Sequence, residues 1–574
     1  MPATRLSSTR LIQPQRKRPT RSPTNAILRI KKSAQDKLTG RASQTETKSS
    51  SSTRRKRSHD FDAIATPLIV QKRRKTSLGV STDLTPSVTP STIIIQVPTK
   101  KLTVFVFGTG EAGELGLGPI KQEALSPALN PRLDAGRPSA FHIVQLACGG
   151  MHTVALTADN KIITWGVNDE HALGRDTQWE GKLESVDAGS EDGDDDDEKA
   201  DMNPYESTPG EVPSKYFPTG TRFSQVAAGD SCSFALTTTG LVYGWGTFRD
   251  SSGNKGFRYD ERGDTVENQA TPYHIQGLQN ITQICCGDNH ALALDTSGNI
   301  WAWGCNDQYQ FGRRLVTRSD KSPLIPQQVR VCRNRAKYIA CGGDHCFAVD
   351  WDDNVYGWGA NNFGQAGDSS SAGTNSAFVP PTKIRSLCQK QVVVLDGGVH
   401  HSAAVTADGS CLVWGRIDDG QLGVDFTPEQ LQDSTLIRRD ERSKPRICLR
   451  PAMIPTIQQA NFVACSSDHT ILIDKAGNAY SSGYGDQGQL GHNSTDTVKV
   501  MRRIKRESVD DTRMTWAGAG GQFSIIAGPA KSEAPFWARC SSLSPNRLSM
   551  IVDSRNQTLD NRGTKPPART RNKG

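Results

Sequence analysis

The sequence predicts an all-β protein: a seven-bladed β-propeller with four antiparallel strands per blade, flanked by disordered basic tails. Three observations carry this. Two short half-units each occur seven times between Val104 and Ile526. Turn residues that tolerate positive φ separate the halves, as β-hairpins require. The array begins on one half-unit and ends on the other, so its two ends can complete a shared blade.

The first half-unit is a Gly-Gly-x-His turn entering a small apolar strand. It reads "ACGGMHTVAL" from Ala147, "AAGDSCSFAL" from Ala227, "CCGDNHALAL" from Cys285 and "ACGGDHCFAV" from Ala340. It continues as "LDGGVHHSAAV" from Leu395, "ACSSDHTILI" from Ala464 and "AGAGGQFSII" from Ala517. The second half-unit is a strand ending in Trp-Gly or a relative, at Gly108, Gly166, Gly246, Gly304, Gly359, Gly415 and Gly483. Between them lie "TADNK", "TTTGL", "DTSGN", "DWDDN", "TADGS" and "DKAGN". One such unit cannot bury both faces of its sheet, so the units pack side by side in a ring. The terminal glycines are spaced 58, 80, 58, 55, 56 and 68 residues apart. The long gap marks an insertion at about 184–201, whose core is "EDGDDDDEKAD" from Glu191. It reads either as a solvated loop or as a contact for a basic partner.

Charge divides the chain into three regions. Residues 1–101 carry 22 Lys and Arg against 5 Asp and Glu, and residues 531–574 carry 9 against 3. The propeller region, 102–530, carries 38 against 52. An acidic body between basic tails can serve different partners. The N-terminal tail is rich in Ser, Thr, Pro, Lys and Arg, and is expected to be disordered for want of apolar surface to bury; so is the polar C-terminal tail. Two basic clusters, Arg54, Arg55, Lys56 and Arg57 and then Lys72, Arg73, Arg74 and Lys75, are separated by 14 residues. They read as a nuclear localisation signal, which implies an import receptor as partner, or as a plain basic tail. The same charge would bind nucleic-acid phosphates with strong salt dependence.

Several function classes are excluded. No apolar run approaches the roughly 18 residues of a membrane helix, so no membrane association is expected. The start of the chain has no apolar core of a secretory signal. The 13 cysteines contain no C-x-x-C pair. Those in apolar strands (Cys148, Cys286, Cys341, Cys346, Cys411, Cys465) read as small buried hydrophobes in a reducing compartment. Zinc-ligand spacings are absent, so no metal and no cofactor is expected. "GTGEAG", from Gly108 to Gly113, has the spacing of a dinucleotide loop, but the repeat provides no following helix. The recurring histidines (His152, His290, His345, His400, His469) occupy equivalent repeat positions, where core hydrogen bonding is expected. No Ser/His/Asp or Cys/His arrangement stands out, and no phosphate-binding loop is present.

One copy departs from the pattern. After Trp165-Gly166 comes "VNDEHALGR", and after Trp303-Gly304 comes "CNDQYQFGR"; after Trp245-Gly246 comes "TFRDSSGNKGF". From the residues alone this is drift or a functional loop.

The repeat over 102–530, the offset closure, the basic tail and "WGTFRDSSG" from Trp245 together resemble the regulator of chromosome condensation family, in its fungal-type form. The resemblance implies a chromatin-bound guanine nucleotide exchange factor for the small GTPase Ran. It also implies roles in nucleocytoplasmic transport, the cell cycle and mitosis. It makes Phe248, Arg249, Asp250, Ser251, Ser252 and Gly253 a wedge that pushes against the GTPase's phosphate-binding region. Asp230 in "AGDS" matches an essential acid of the family, whereas Cys232 stands where a His is usual. A second acid is implied next to His290, and either Asp288 or Asn289 takes that role. A functional His of the "GGxHH" unit is His400 or His401. On the opposite face an arginine loop is implied to meet core histones of the nucleosome; "VRVCRNRAKY" from Val329 is similarly placed, with Arg333 and Arg335. The tail would add DNA contacts. Exchange by displacement breaks no bond and needs no catalytic acid, base or nucleophile. The rival reading is a non-catalytic nuclear scaffold, which has no need of the wedge.

Overall fold

The computed structural model describes residues 95–180, 202–314, 323–374 and 378–530. Both basic clusters, the C-terminal tail and the acidic insertion lie outside the described residues. Within them, seven antiparallel sheets follow one another in chain order, as the repeat predicts.

Blade one is the closing blade. Its sheet order is Glu123–Leu129, Leu102–Thr109, Phe523–Pro529, Trp516–Ala519, so two strands come from each end of the array. Leu102 to Gly108 pairs residue by residue with Pro529 to Phe523. In the other blades the strands run in order, except at the outer edge of blade six. Blade two begins at Ile143, blade three at Phe223 and blade four at Ile281. Blade five begins at Ala336, blade six at Val392 and blade seven at Ala460. Blade six has a fifth short strand, Ile437–Arg439. No helix follows the "GTGEAG" turn, which leads into Glu123–Leu129. No helix among the described residues is long and apolar enough to cross a membrane.

The second strand of each blade is buried on both faces because neighbouring blades cover it. His152–Thr157, Cys232–Thr237, His345–Asp350 and His401–Thr406 are buried at every residue. That is why these strands read as continuous apolar runs rather than alternating ones. The turn after this strand uses left-handed residues, including Asn160 (φ 69°) and Asp353 (φ 58°), which tolerate that region better than other side chains. Trp165, Trp245, Trp303, Trp358 and Trp414 fill the seams between blades, each at most 1% exposed.

The histidine positions act as seam bolts. His152, His345 and His469 each place Nε2 2.8 Å from Ser233, Ser402 and Ser524 of the next blade. His401 does the same to Thr470 at 2.7 Å. Burial lowers these imidazoles to about 3 or 4, so they stay neutral. Each hydroxyl passes the bond to a backbone carbonyl, as Ser402 does to Gln365 at 3.0 Å, and Trp414 donates to the same carbonyl at 2.9 Å.

The turns between first and second strands crowd the ring centre. Gly521 donates to Gly150, Gly150 to Gly229, Asp230 to Asp288, Asp288 to Gly343 and Gly343 to Gly398. A Cβ on Gly398 would lie 1.8 Å from the Ser466 carbonyl, so only glycine fits there. These turns and the loops between third and fourth strands share one face. The turns after the second strand and the connections between blades share the other, because the strands alternate in direction.

Candidate partner-binding face

In most blades the third strand is followed by a tight turn whose carbonyl accepts the indole of the next blade's Trp. Trp165 donates to Glu114, Trp245 to Ala172, Trp358 to Gln310 and Trp414 to Gln365, at 2.8–3.0 Å. Blade three has replaced that turn, and Trp303 Nε1 is buried without a partner. Aromatic packing substitutes for the lost bond: Trp303 meets Phe234 edge-on at 5.5 Å.

The replacement is a projecting hairpin. Phe248–Arg249 pairs with Lys255–Gly256. Its tip is closed by Asp250, whose carboxylate accepts from the backbone of Ser252 (2.9 Å) and Asn254 (2.8 Å) and from the Asn254 amide (2.9 Å). Gly253, at φ +85°, stands in open space. Ser251, Ser252, Gly253 and Asn254 are exposed. Both neighbouring blades brace the hairpin. From blade two, Glu170 pairs with Arg249 and with Lys255 at 2.8 Å. From blade four, Asn289 accepts the Arg249 backbone N–H at 2.7 Å, and Asp307 accepts that of Ser251 at 2.7 Å. Burial raises the Glu170 carboxyl, but Lys255 and Arg249 outweigh it and hold it below the ordinary range.

The structure corrects the placement of Phe248. It is 2% exposed, stacked on Phe257 at 5.6 Å and on Phe234 at 6.1 Å. It cannot touch a partner. The strand alternates, so Phe248 points into the core and Arg249 outward; Phe248 is the root of the hairpin. The exposed part of the hairpin starts at Arg249.

Asp230 is solvent-facing at the ring centre, and Asp288 lies beside it, half-buried. Desolvation by the crowded turns at the ring centre raises both carboxyls, that of Asp288 to about 7, with Asp344 and Asp230 adding to the effect on Asp288. In position, Asp288 is equivalent to Asp230, whereas Asn289 holds the hairpin. Asp344 stands one blade on, at the place of Asn289, and accepts from Gln310 at 3.0 Å. His400 is half-buried, edge-on to Phe363 at 4.6 Å, and lowered to about 4 by burial and by Arg416. His401 is wholly buried in the blade six–seven seam, so of the two only His400 can reach a partner.

The sequence reading missed Glu170, Asp307 and Asp344 on this face. A signal existed, since an acid recurs shortly after the Trp-Gly pair in "VNDE", "CND" and "RIDD". Together with Asp230 and Asp288 these residues make an acidic cluster beside the hairpin. The buried His–Ser pairs have the look of a base and nucleophile, but they repeat from seam to seam and no substrate can reach them.

Arg333 and Arg335 lie on the opposite face. Cys332, Arg333 and Asn334 form a left-handed turn with φ of 56°, 47° and 60°, anchored by buried Val331 and Cys332. Arg335 is held by Asp352 through two bonds of 2.8 and 3.1 Å. Arg333 is exposed and makes no side-chain hydrogen bond or ion pair among the described residues. Trp351, 69% exposed, is beside them and donates its backbone N–H to Arg335 O at 3.2 Å. The sequence reading missed this tryptophan. Ile95 donates to Thr238 O at 3.3 Å on this same face.

Fold and site define a propeller with two unlike faces, one bearing a braced projecting hairpin and the other an arginine-bearing turn. The chain belongs to the RCC1-like domain family, whose model matches residues 103–526. It is 35% identical over 441 residues to the guanine nucleotide exchange factor SRM1 of Saccharomyces cerevisiae, covering 75% of this chain and 88% of that protein. It is 33% identical over 471 residues to protein pim1 of Schizosaccharomyces pombe, covering 81% and 82%. The crystal structure of Prp20p from Saccharomyces cerevisiae, described with its binding to Gsp1p and histones, superposes with a TM-score of 0.67 at 32% identity. That match covers 81% of this chain and 97% of that one. Yeast RCC1 (Prp20) with Kap60 bound also gives 0.67, at 31% identity.

Proposed function

We propose that this protein is a guanine nucleotide exchange factor that promotes GDP/GTP exchange on a Ran-type GTPase at chromatin. The observation that carries the reading is the hairpin at Arg249–Lys255, braced from two blades beside an acidic cluster. It is rigid because Glu170, Asn289 and Asp307 hold its sides and stacked Phe248 and Phe257 hold its root. A rigid projection can displace groups on a bound partner without first paying to order itself. Asp230, Asp288 and His400 face the same partner, with acidic surface suited to a basic one.

The protein acts by displacement and makes no covalent bond. Factor and nucleotide bind the GTPase with negative coupling, which is reciprocal. A thousandfold loss of nucleotide affinity requires about 4 kcal/mol of differential binding, within reach of several desolvated charged contacts. Incoming nucleotide expels the factor by the same coupling.

The opposite face holds the nucleosome, with Arg333 as the free guanidinium and Arg335 oriented by Asp352. The basic tail adds phosphate contacts and takes an import receptor, which makes the protein nuclear. The binding of Prp20p to Gsp1p and histones, and of yeast RCC1 to Kap60, supports this assignment of partners.

The test is release of a fluorescent GDP analogue from Ran. Wild-type protein accelerates it, and a variant with Arg249, Asp250 and Ser251 replaced by Ala or Gly binds Ran but does not. No acceleration by folded wild type would leave the scaffold reading.

A further inference from the structure

The seam between blades four and five differs from the others in chemistry. His152, His345, His401 and His469 meet hydroxyls, but His290 Nε2 lies 3.0 Å from the thiol of Cys346. A second thiol, Cys341, joins them. His290 Nε2, Cys341 Sγ and Cys346 Sγ all lie within 4.8 Å of one another and all three residues are buried. Cys285 Sγ is 3.1 Å from Cys341 Sγ. Blade four supplies Cys285 and His290; blade five supplies Cys341 and Cys346. A serine at 346 would satisfy the seam, as Ser233 and Ser402 do elsewhere, so the repeat itself does not require these sulfurs.

We propose that this seam binds a thiophilic divalent cation, Zn²⁺, through His290, Cys341 and Cys346, with Cys285 as the fourth ligand. Tetrahedral zinc with bonds of about 2.3 Å to sulfur and about 2.0 Å to nitrogen has ligand–ligand edges of about 3.5–3.8 Å. The three-ligand group needs adjustments of about an ångström or less to meet that geometry, and Cys285, which lies outside that group, must turn away from Cys341 and toward the other ligands by a change of side-chain rotamer. Four protein ligands close the site, so its role is structural. The thiols lose their protons to solvent on binding. The site clamps two blades directly beneath Asn289, the residue next to His290 that braces the hairpin. The usual C-x-x-C spacing is absent because the ligands pair across blades: Cys285 to Cys341 and His290 to Cys346 are each 56 residues apart. The repeat period is the ligand spacing.

The experiment uses full-length protein made in zinc-supplemented medium and purified with reductant and without chelator. Metal content is measured by mass spectrometry of the elements, and Co²⁺ is titrated into chelator-treated protein. The expected result is roughly one zinc per chain and thiolate-to-cobalt charge-transfer bands with tetrahedral d–d absorption. Cys346→Ser, which keeps the His290 partner as a hydroxyl, is expected to fold while losing at least about nine-tenths of the metal. Chelator is expected to lower Tm in wild type only. Folded wild type without metal and without cobalt bands would overturn the proposal. So would equal zinc in Cys346→Ser, or a Cys285–Cys341 disulfide found by thiol counting in the freshly purified protein.

Discussion

The Arg249 backbone N–H donates to the side-chain oxygen of Asn289 at 2.7 Å, tying the projecting hairpin of blade three to the central turn of blade four. The bond joins the hairpin that replaces the usual turn to the ring it departs from. Removing one such bond costs about 1 kcal/mol. Asn289→Ala is therefore expected to slow GDP release from Ran about fivefold while Tm stays within a degree or two. Asn289→Asp keeps the acceptor and is expected to retain most activity. Equal rates in wild type and Asn289→Ala would show that the brace is dispensable.

Phe248 lies at the root of the hairpin, so its loss is a core defect. Phe248→Ala is expected to destabilise the propeller by about 3–5 kcal/mol in urea unfolding. A surface contact residue would change stability by no more than about 0.5 kcal/mol. The measurement separates the two placements directly.

Trp303 and Trp358 occupy equivalent seams, but only Trp358 has an indole acceptor. Replacement by Phe removes similar volume from both. Trp358→Phe is expected to cost about 1 kcal/mol more than Trp303→Phe, because it alone removes an indole hydrogen bond, the one to the Gln310 carbonyl. Equal losses in denaturant unfolding would contradict the assignment.

Asp396 accepts the Cys465 backbone N–H at 2.8 Å, and burial pushes its carboxyl up to about 7. The folded state thus holds a proton that the unfolded chain releases near 4. This group's contribution is greatest below about pH 4 and is lost as pH rises to about 7. Between pH 5 and pH 8, wild type is expected to lose about 2–4 kcal/mol relative to Asp396→Asn, which cannot ionise. Parallel stability–pH curves for the two proteins would refute this.

Arg333 is free on the face away from the hairpin, whereas Arg335 is engaged by Asp352. Arg333→Ala is expected to weaken nucleosome binding about tenfold, the value of a charge-assisted bond. Arg335→Ala is expected to cost less, and neither is expected to change GDP release. A loss of exchange in Arg333→Ala would place it on the wrong face.

The sequence by itself determined the ring. Each strand is a short apolar run closed by turn residues, and these are local signals that repeat seven times, so strand identity, blade number and the shared closing blade were legible. The odd loop after Trp245-Gly246 was legible for the same reason: six siblings show what it replaced. What the tertiary structure decided is which side chains face a partner. Phe248 is in a two-residue strand, too short for alternation to reveal that it points inward. His400 and His401 are neighbours in the chain, and only the seam with Thr470 shows which one is buried. Asn289 reads as a substituted acid until its contact with Arg249 is seen. The cysteines and His290 have no metal spacing along the chain because their neighbours stand one blade away. Local patterns build blades, but the contacts between blades join residues some 56 positions apart, and function lies in those contacts.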